Sequence, residues 1–140
     1  MNLRGIFAIA GGLFFTYAGV LHFTDTSWFE PIVPPILGSA TFWVLVSGVV
    51  EIAVGLSLIM PKTRKLGGYS SAALLVALYP ANLYMWVYDV ELGDGASLSP
   101  TGHVVRLFAQ IAGIMFSLWI AEWKPGVRPN INDLLISRES

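Results

Sequence analysis

Glu51 stands in the middle of VLVSGVVEIAVGLSLIM, residues 44–60, a run apolar enough to sit in hydrocarbon. An ionised side chain at the centre of a bilayer costs about 2.5 to 3.5 kcal/mol even on a lenient insertion scale, so a carboxylate there needs a partner or a task. Four more polar residues fall within or at the ends of similar runs: His22, Asn82, Arg106 and Gln110. Arg106 cannot lose its proton, which makes it the natural counter-charge for Glu51, with Asn82 or Gln110 taking its remaining hydrogen bonds. Such a group can be a structural ion pair, a proton-exchanging site or the polar part of a ligand pocket.

The elements that must position these residues follow from composition. Of 140 residues, 55% are hydrophobic and 12% charged, and the mean hydropathy is +0.67; these values suit a chain whose solvent is lipid. A net charge of −1 and the lack of a long basic run give no footing for nucleic acid as a partner. Without cysteine there are no disulfides, thiolate metal sites or dithiol chemistry. Four apolar stretches run from about Gly5 to His22, Phe42 to Met60, Leu66 to Tyr88 and Val104 to Trp123. Each approaches the ~20 residues a helix needs to cross a bilayer. Arg4 precedes the first stretch, but that stretch is long for a signal peptide and no small-x-small cleavage site follows, so a retained span is expected.

Lys and Arg divide the loops into two sets. Arg4, Lys62, Arg64, Lys65, Lys124, Arg128 and Arg138 fall on one side, whereas the loops Phe23 to Thr41 and Asp89 to His103 carry only acidic charges. The positive-inside rule then places both termini and the turn PKTRK in the cytoplasm. That turn is too short to let its flanking spans separate. The expected fold is therefore all-α, an integral membrane, up-down-up-down four-helix bundle over residues 1–123, followed by a polar cytoplasmic tail over 124–140. Small residues at helix-contact spacing, Gly12, Thr16 and Gly19 in span 1 and Gly48 and Gly55 around Glu51, suit close packing in lipid.

Depth then sorts the polar residues. Glu51, nine residues below Phe42, lies roughly 13 Å down its helix, near the midplane. Arg106, Gln110, Asn82 and His22 fall in the outer half, with Ser47, Glu51 and Gly55 on one helical face and His103, Arg106, Gln110 and Gly113 on another. Pro80 breaks the span 3 hydrogen-bond ladder at the Val76 carbonyl and predicts a kink. The loop HFTDTSWFEPIVPPILGSAT is apolar enough to lie on the membrane surface or to cover the bundle mouth, and DVELGDGASLSPTGH reads as flexible. His22 and His103, at one level on neighbouring helices, have the residue types of a haem axial pair, although hydrated interfacial side chains are the plainer expectation. No clustered His and carboxylate spacing supports a zinc or two-metal site, so no metal is expected.

AGVLHF, FEPIVPP, SGVVEIAVGLSLIMPKTRKLGG, YPANLYM and VVRLFAQ, in this order around four spans, make residues 5 to 123 resemble the DoxX-like family of small bacterial membrane proteins. That family takes its name from a membrane subunit associated with thiosulfate:quinone oxidoreduction. The resemblance implies a bacterial inner-membrane protein with quinone or other redox association and points to Glu51, Pro80, Asn82, Arg106 and Gln110 as the polar core. The expected function is a redox-associated, quinone-linked subunit or small-ligand-binding membrane protein. Its expected partners are the lipid bilayer, membrane or soluble redox subunits and further copies of the chain. A non-catalytic scaffold and a small four-span transporter are the alternatives, and whether the chain catalyses anything is left open.

Overall fold

The computed structural model describes residues 1–135; Arg138 lies outside them. Every regular element among the described residues is helical. The long helices are α1 (Leu3–Thr24), α3 (Ala40–Ile59), α4 (Arg64–Val87) and α5 (Pro100–Ile120), with short helices α2 (Thr26–Phe29) and α6 (Ile131–Leu135). The four long helices are long and apolar enough to cross a membrane. Side chains start three of them in the expected way: Asn2 Oδ1 accepts from the Gly5 amide, Ser39 Oγ from Phe42 and Ser99 Oγ from Gly102. The Ser99–Pro100 start explains why the fourth helix begins about one turn before its apolar run, since Pro at the first helical position gives up an amide that would be unpaired anyway.

The closest packing is between α1 and α3. A methyl group on Gly12 would sit 2.6 Å from the Gly55 carbonyl oxygen, and one on Gly19 would sit 2.7 Å from that of Gly48. Such distances leave no room for a side chain, so the two backbones touch, as the small-residue spacing implies. Residue numbers fall along α3 as they rise along α1, so the pair is antiparallel. The turn from α3 to α4 is held by its own side chains. Arg64 donates from Nε to Leu58 O at 3.1 Å and from Nη2 to Ile59 O at 3.1 Å, and Thr63 Oγ1 donates to Ser57 O at 2.9 Å. These bonds satisfy carbonyls that the end of α3 leaves without partners. Gly68 brings α4 against α5, where an added methyl would meet the Ala121 amide at 2.7 Å.

Glu122 closes the end of the bundle that carries the chain termini. It follows α5 in a left-handed conformation, φ 58°, and its carboxylate takes Arg4 of α1 at 3.0 Å and Lys65 of α4 at 2.9 Å. The hydrogen bond from Lys65 holds this carboxyl below its usual pKa range. Arg4 also donates to Trp119 O at 2.9 Å and lies over the Trp119 ring. Residues 124–135, expected as a peripheral tail, return in α6 to pack against α4.

The glycine contact makes a sharp pair of expectations. Gly12→Ala should lower stability by about 1–3 kcal/mol, the usual cost of overpacking. Gly11→Ala, whose methyl would meet only Leu58 Cδ1 at 3.9 Å, should be neutral or slightly stabilising. Thermal unfolding in mild detergent compares them, and equal shifts would refute the backbone contact.

Candidate functional site

Ser47 and Glu51 are one helical turn apart on α3 and face the end of α1, where the His22 side chain reaches back towards them. His22 Nδ1 lies 2.8 Å from Glu51 Oε2 and 3.1 Å from Ser47 Oγ. Ser47 donates its own hydrogen to Val44 O at 2.9 Å, which assigns the proton of the Ser47–His22 contact to Nδ1. Glu51, at 5% exposed, and His22, at 8%, are buried, and Ser47 is half-buried. Glu51 Oε2 has no aligned hydrogen-bond donor despite the short distance to the ring. We read the oxygen as open to a further donor, because alignment, not separation alone, makes a hydrogen bond. The Phe29 ring meets the His22 ring edge-on, centroids 4.2 Å apart.

The second group joins α4 to α5. Arg106 donates from Nη2 to Asn82 Oδ1 and from Nη1 to Met85 Sδ, the latter at 3.0 Å. Gln110, one turn deeper than Arg106, donates from Nε2 to the carbonyl of Leu75. Leu75 is next to Val76, whose carbonyl loses its helical amide to Pro80. Gln110 thus holds α5 to the backbone of α4 within the turn that the proline disturbs.

The two groups do not meet. Glu51 and Arg106 come no closer than the 4 Å limit of an ion pair, which corrects the expectation that they neutralise each other. Opposite charge picked out the partners across the bundle, whereas helix contact chose them within each neighbouring pair. His22, expected as a hydrated residue at the surface, is instead the buried partner of Glu51. Met85 was not anticipated. Its position three residues after Asn82, on the same face of α4, was the available signal.

All five polar candidates nevertheless line one cavity of about 380 Å³, together with Ser47 and Pro80. Apolar residues of α1, α3 and α4, including Phe15, Val44 and Leu78, make up most of the rest, whereas α5 contributes only Arg106 and Gln110. Phe29, Ile32, Val33, Pro34 and Leu37 of the first loop form part of the wall, so that loop folds over the bundle. Trp43 Nε1 fixes it by donating to Leu37 O at 2.8 Å. The second loop, which reads as flexible, is pinned to the first by a bond from the Gly93 amide to Trp28 O at 3.0 Å. A smaller chamber of about 210 Å³ lies between the loops, and Arg106, Phe29 and Ile32 line both spaces. His103 lines neither; it is buried and stacked on Trp86, with centroids 5.6 Å apart. His103 thus lies outside the cavity that His22 lines.

A family model described as "Domain of unknown function (DUF8561)" matches residues 11–121. The chain belongs to the DUF8561 family. The match takes in α3, α4 and α5 whole, α1 from Gly11 onward, and every polar residue of the cavity. No curated protein and no solved structure matches the chain. In this DUF8561 protein the cavity therefore has to be read from its own chemistry. One wall presents an acid and an imidazole able to hold or pass a proton; another presents guanidinium and amide donors.

The separation of the groups is testable by double-mutant cycles on thermal stability. His22→Gln with Glu51→Gln should show a coupling of about 0.5–3 kcal/mol, as expected for touching residues. Glu51→Gln with Arg106→Gln should be additive within about 0.5 kcal/mol. The opposite ranking would restore the Glu51–Arg106 pair.

Proposed function

We propose that this protein is a membrane-embedded binding protein for a small amphipathic molecule, working as a quinone-linked or otherwise redox-associated subunit of the bacterial inner membrane. The observation that carries the reading is Glu51 Oε2, buried without an aligned donor, on the wall of a cavity that also holds Arg106 and Asn82. A head group with a hydroxyl could donate to Glu51 while a carbonyl accepts from Arg106 or Asn82, and the apolar body would lie against the aromatic and aliphatic wall. A volume near 380 Å³ is within the usual range for small-molecule sites. Glu51 and His22 would exchange a proton with the ligand. The resemblance to the DoxX-like family supports the redox association.

A scaffold is the competing reading, favoured by the position of Glu51 between Gly48 and Gly55 in the tightest helix contact of the bundle. Mass spectrometry of small molecules co-purified in mild detergent separates the two. We expect a stoichiometric amphipathic ligand in the wild type, and its retention should fall about tenfold in a folded Asn82→Leu variant, since one lost hydrogen bond to a charged or polar head is worth about that factor. An empty wild-type cavity would leave the scaffold.

The same proposal orients the chain as an up-down-up-down bundle with both termini in the cytoplasm. Its support is the distribution of Lys and Arg: among the described residues, all but Arg106 lie at the end bearing the start of α1 and the α3–α4 turn. A single cysteine at Ser97 should react with an impermeant reagent added to intact cells and one at Lys62 should not. Labelling of Lys62→Cys alone would invert the bundle.

A further inference from the structure

The two polar walls of the cavity differ in how their charge is met. Glu51 has an imidazole nitrogen at 2.8 Å. Among the described residues Arg106 bonds to neutral groups, the Asn82 carboxamide and the Met85 thioether, and no ion pair includes it. A guanidinium carries five N–H donors, so donors remain after those two bonds, and the Asn82 amide adds its own. Fixed positive charge on an apolar cavity wall is poorly solvated, and a bound anion would recover that loss. The smaller chamber between the loops is also lined by Arg106, with Ser97 on its wall, so the guanidinium borders both spaces.

The geometry points to an amphipathic monoanion as the preferred ligand, its acidic head on Arg106 and Asn82 and its apolar body against Phe15, Val44 and Leu78. This rests on the binding role proposed above and adds the charge of the ligand to it. Quinone-type carbonyls, neutral alcohols and cationic amphiphiles of equal chain length should all bind more weakly, because none supplies the missing counter-charge.

Three probes of one chain length decide it: decanesulfonate, which stays ionised, decanol and decylammonium. Each is titrated into the full-length protein in nanodiscs of zwitterionic lipid, with the rise in unfolding temperature as the readout. Ala18→Trp, which fills the cavity wall, identifies the signal that belongs to the site. The wild type should bind decanesulfonate about tenfold or more tighter than decanol, the scale of a charge-assisted bond, with decylammonium weakest. Arg106→Gln should bring the sulfonate-to-alcohol ratio close to one. Asn82→Asp should do the same while keeping the arginine, by placing a carboxylate on the guanidinium, so the outcome does not depend on one variant folding. Equal binding of sulfonate and decanol overturns the anion preference but leaves the binding role intact. A preference that survives both Arg106→Gln and Asn82→Asp also overturns it. Probe responses that Ala18→Trp leaves unchanged place all three probes outside the cavity and remove both proposals.

Discussion

The backbone contact between α1 and α3 is the constraint from which the rest of the structure follows. With Gly12 against Gly55 and Gly19 against Gly48, the helices approach more closely than side chains would allow. Lipid offers no hydrophobic gain for bringing two apolar helices together, so such contacts must come from dispersion and polar bonds at short range. The approach carries His22 to the level of Glu51 and buries both. A larger residue at any of these glycines would push the imidazole away from the carboxylate and widen the cavity on that side. Packing and chemistry are therefore one feature in this half of the molecule.

The other half is built differently. Between α4 and α5 the polar contacts are long side chains that reach across: Arg106 to Asn82 and Met85, and Gln110 to the backbone at Leu75. Gln110 does not serve the guanidinium; it braces α4 beside Pro80. The cavity thus has one wall set by backbone proximity and one set by extended side chains, with the first loop laid over both. Pinning that loop through Trp43 and through Gly93 gives the cover two independent attachments, one to each half.

Much of this was legible in the sequence. Four apolar runs, the turn rich in Lys and Arg, the small residues on facing helices and the five polar positions all reappear, and the five line one cavity. The partners did not follow, for a physical reason. Charge alone cannot say which of two basic residues a buried carboxylate will meet, because that depends on the rotation and separation of the helices, which the glycines set. The direction of the Cβ bond would have helped: it tilts side chains towards the helix start and so brings His22 down to Glu51. The covering loop was undecided between surface and mouth, since its apolar residues fit either; the indole bond from Trp43 to Leu37 O draws it over the bundle.

The division of polar contacts by neighbouring helices also bears on how such a chain could enter a bilayer. Glu51 finds His22 within the first two long helices, and Arg106 finds Asn82 within the last two. Each hairpin thus brings polar partners of its own to the charge it carries, an imidazole for the acid in the first and neutral acceptors for the guanidinium in the second. A Glu51–Arg106 pair would have left the first hairpin with an unmatched acid until synthesis of the fourth helix was finished. Assembly then becomes the docking of two halves whose polar bonds are each internal, and the cavity is the space that their meeting encloses.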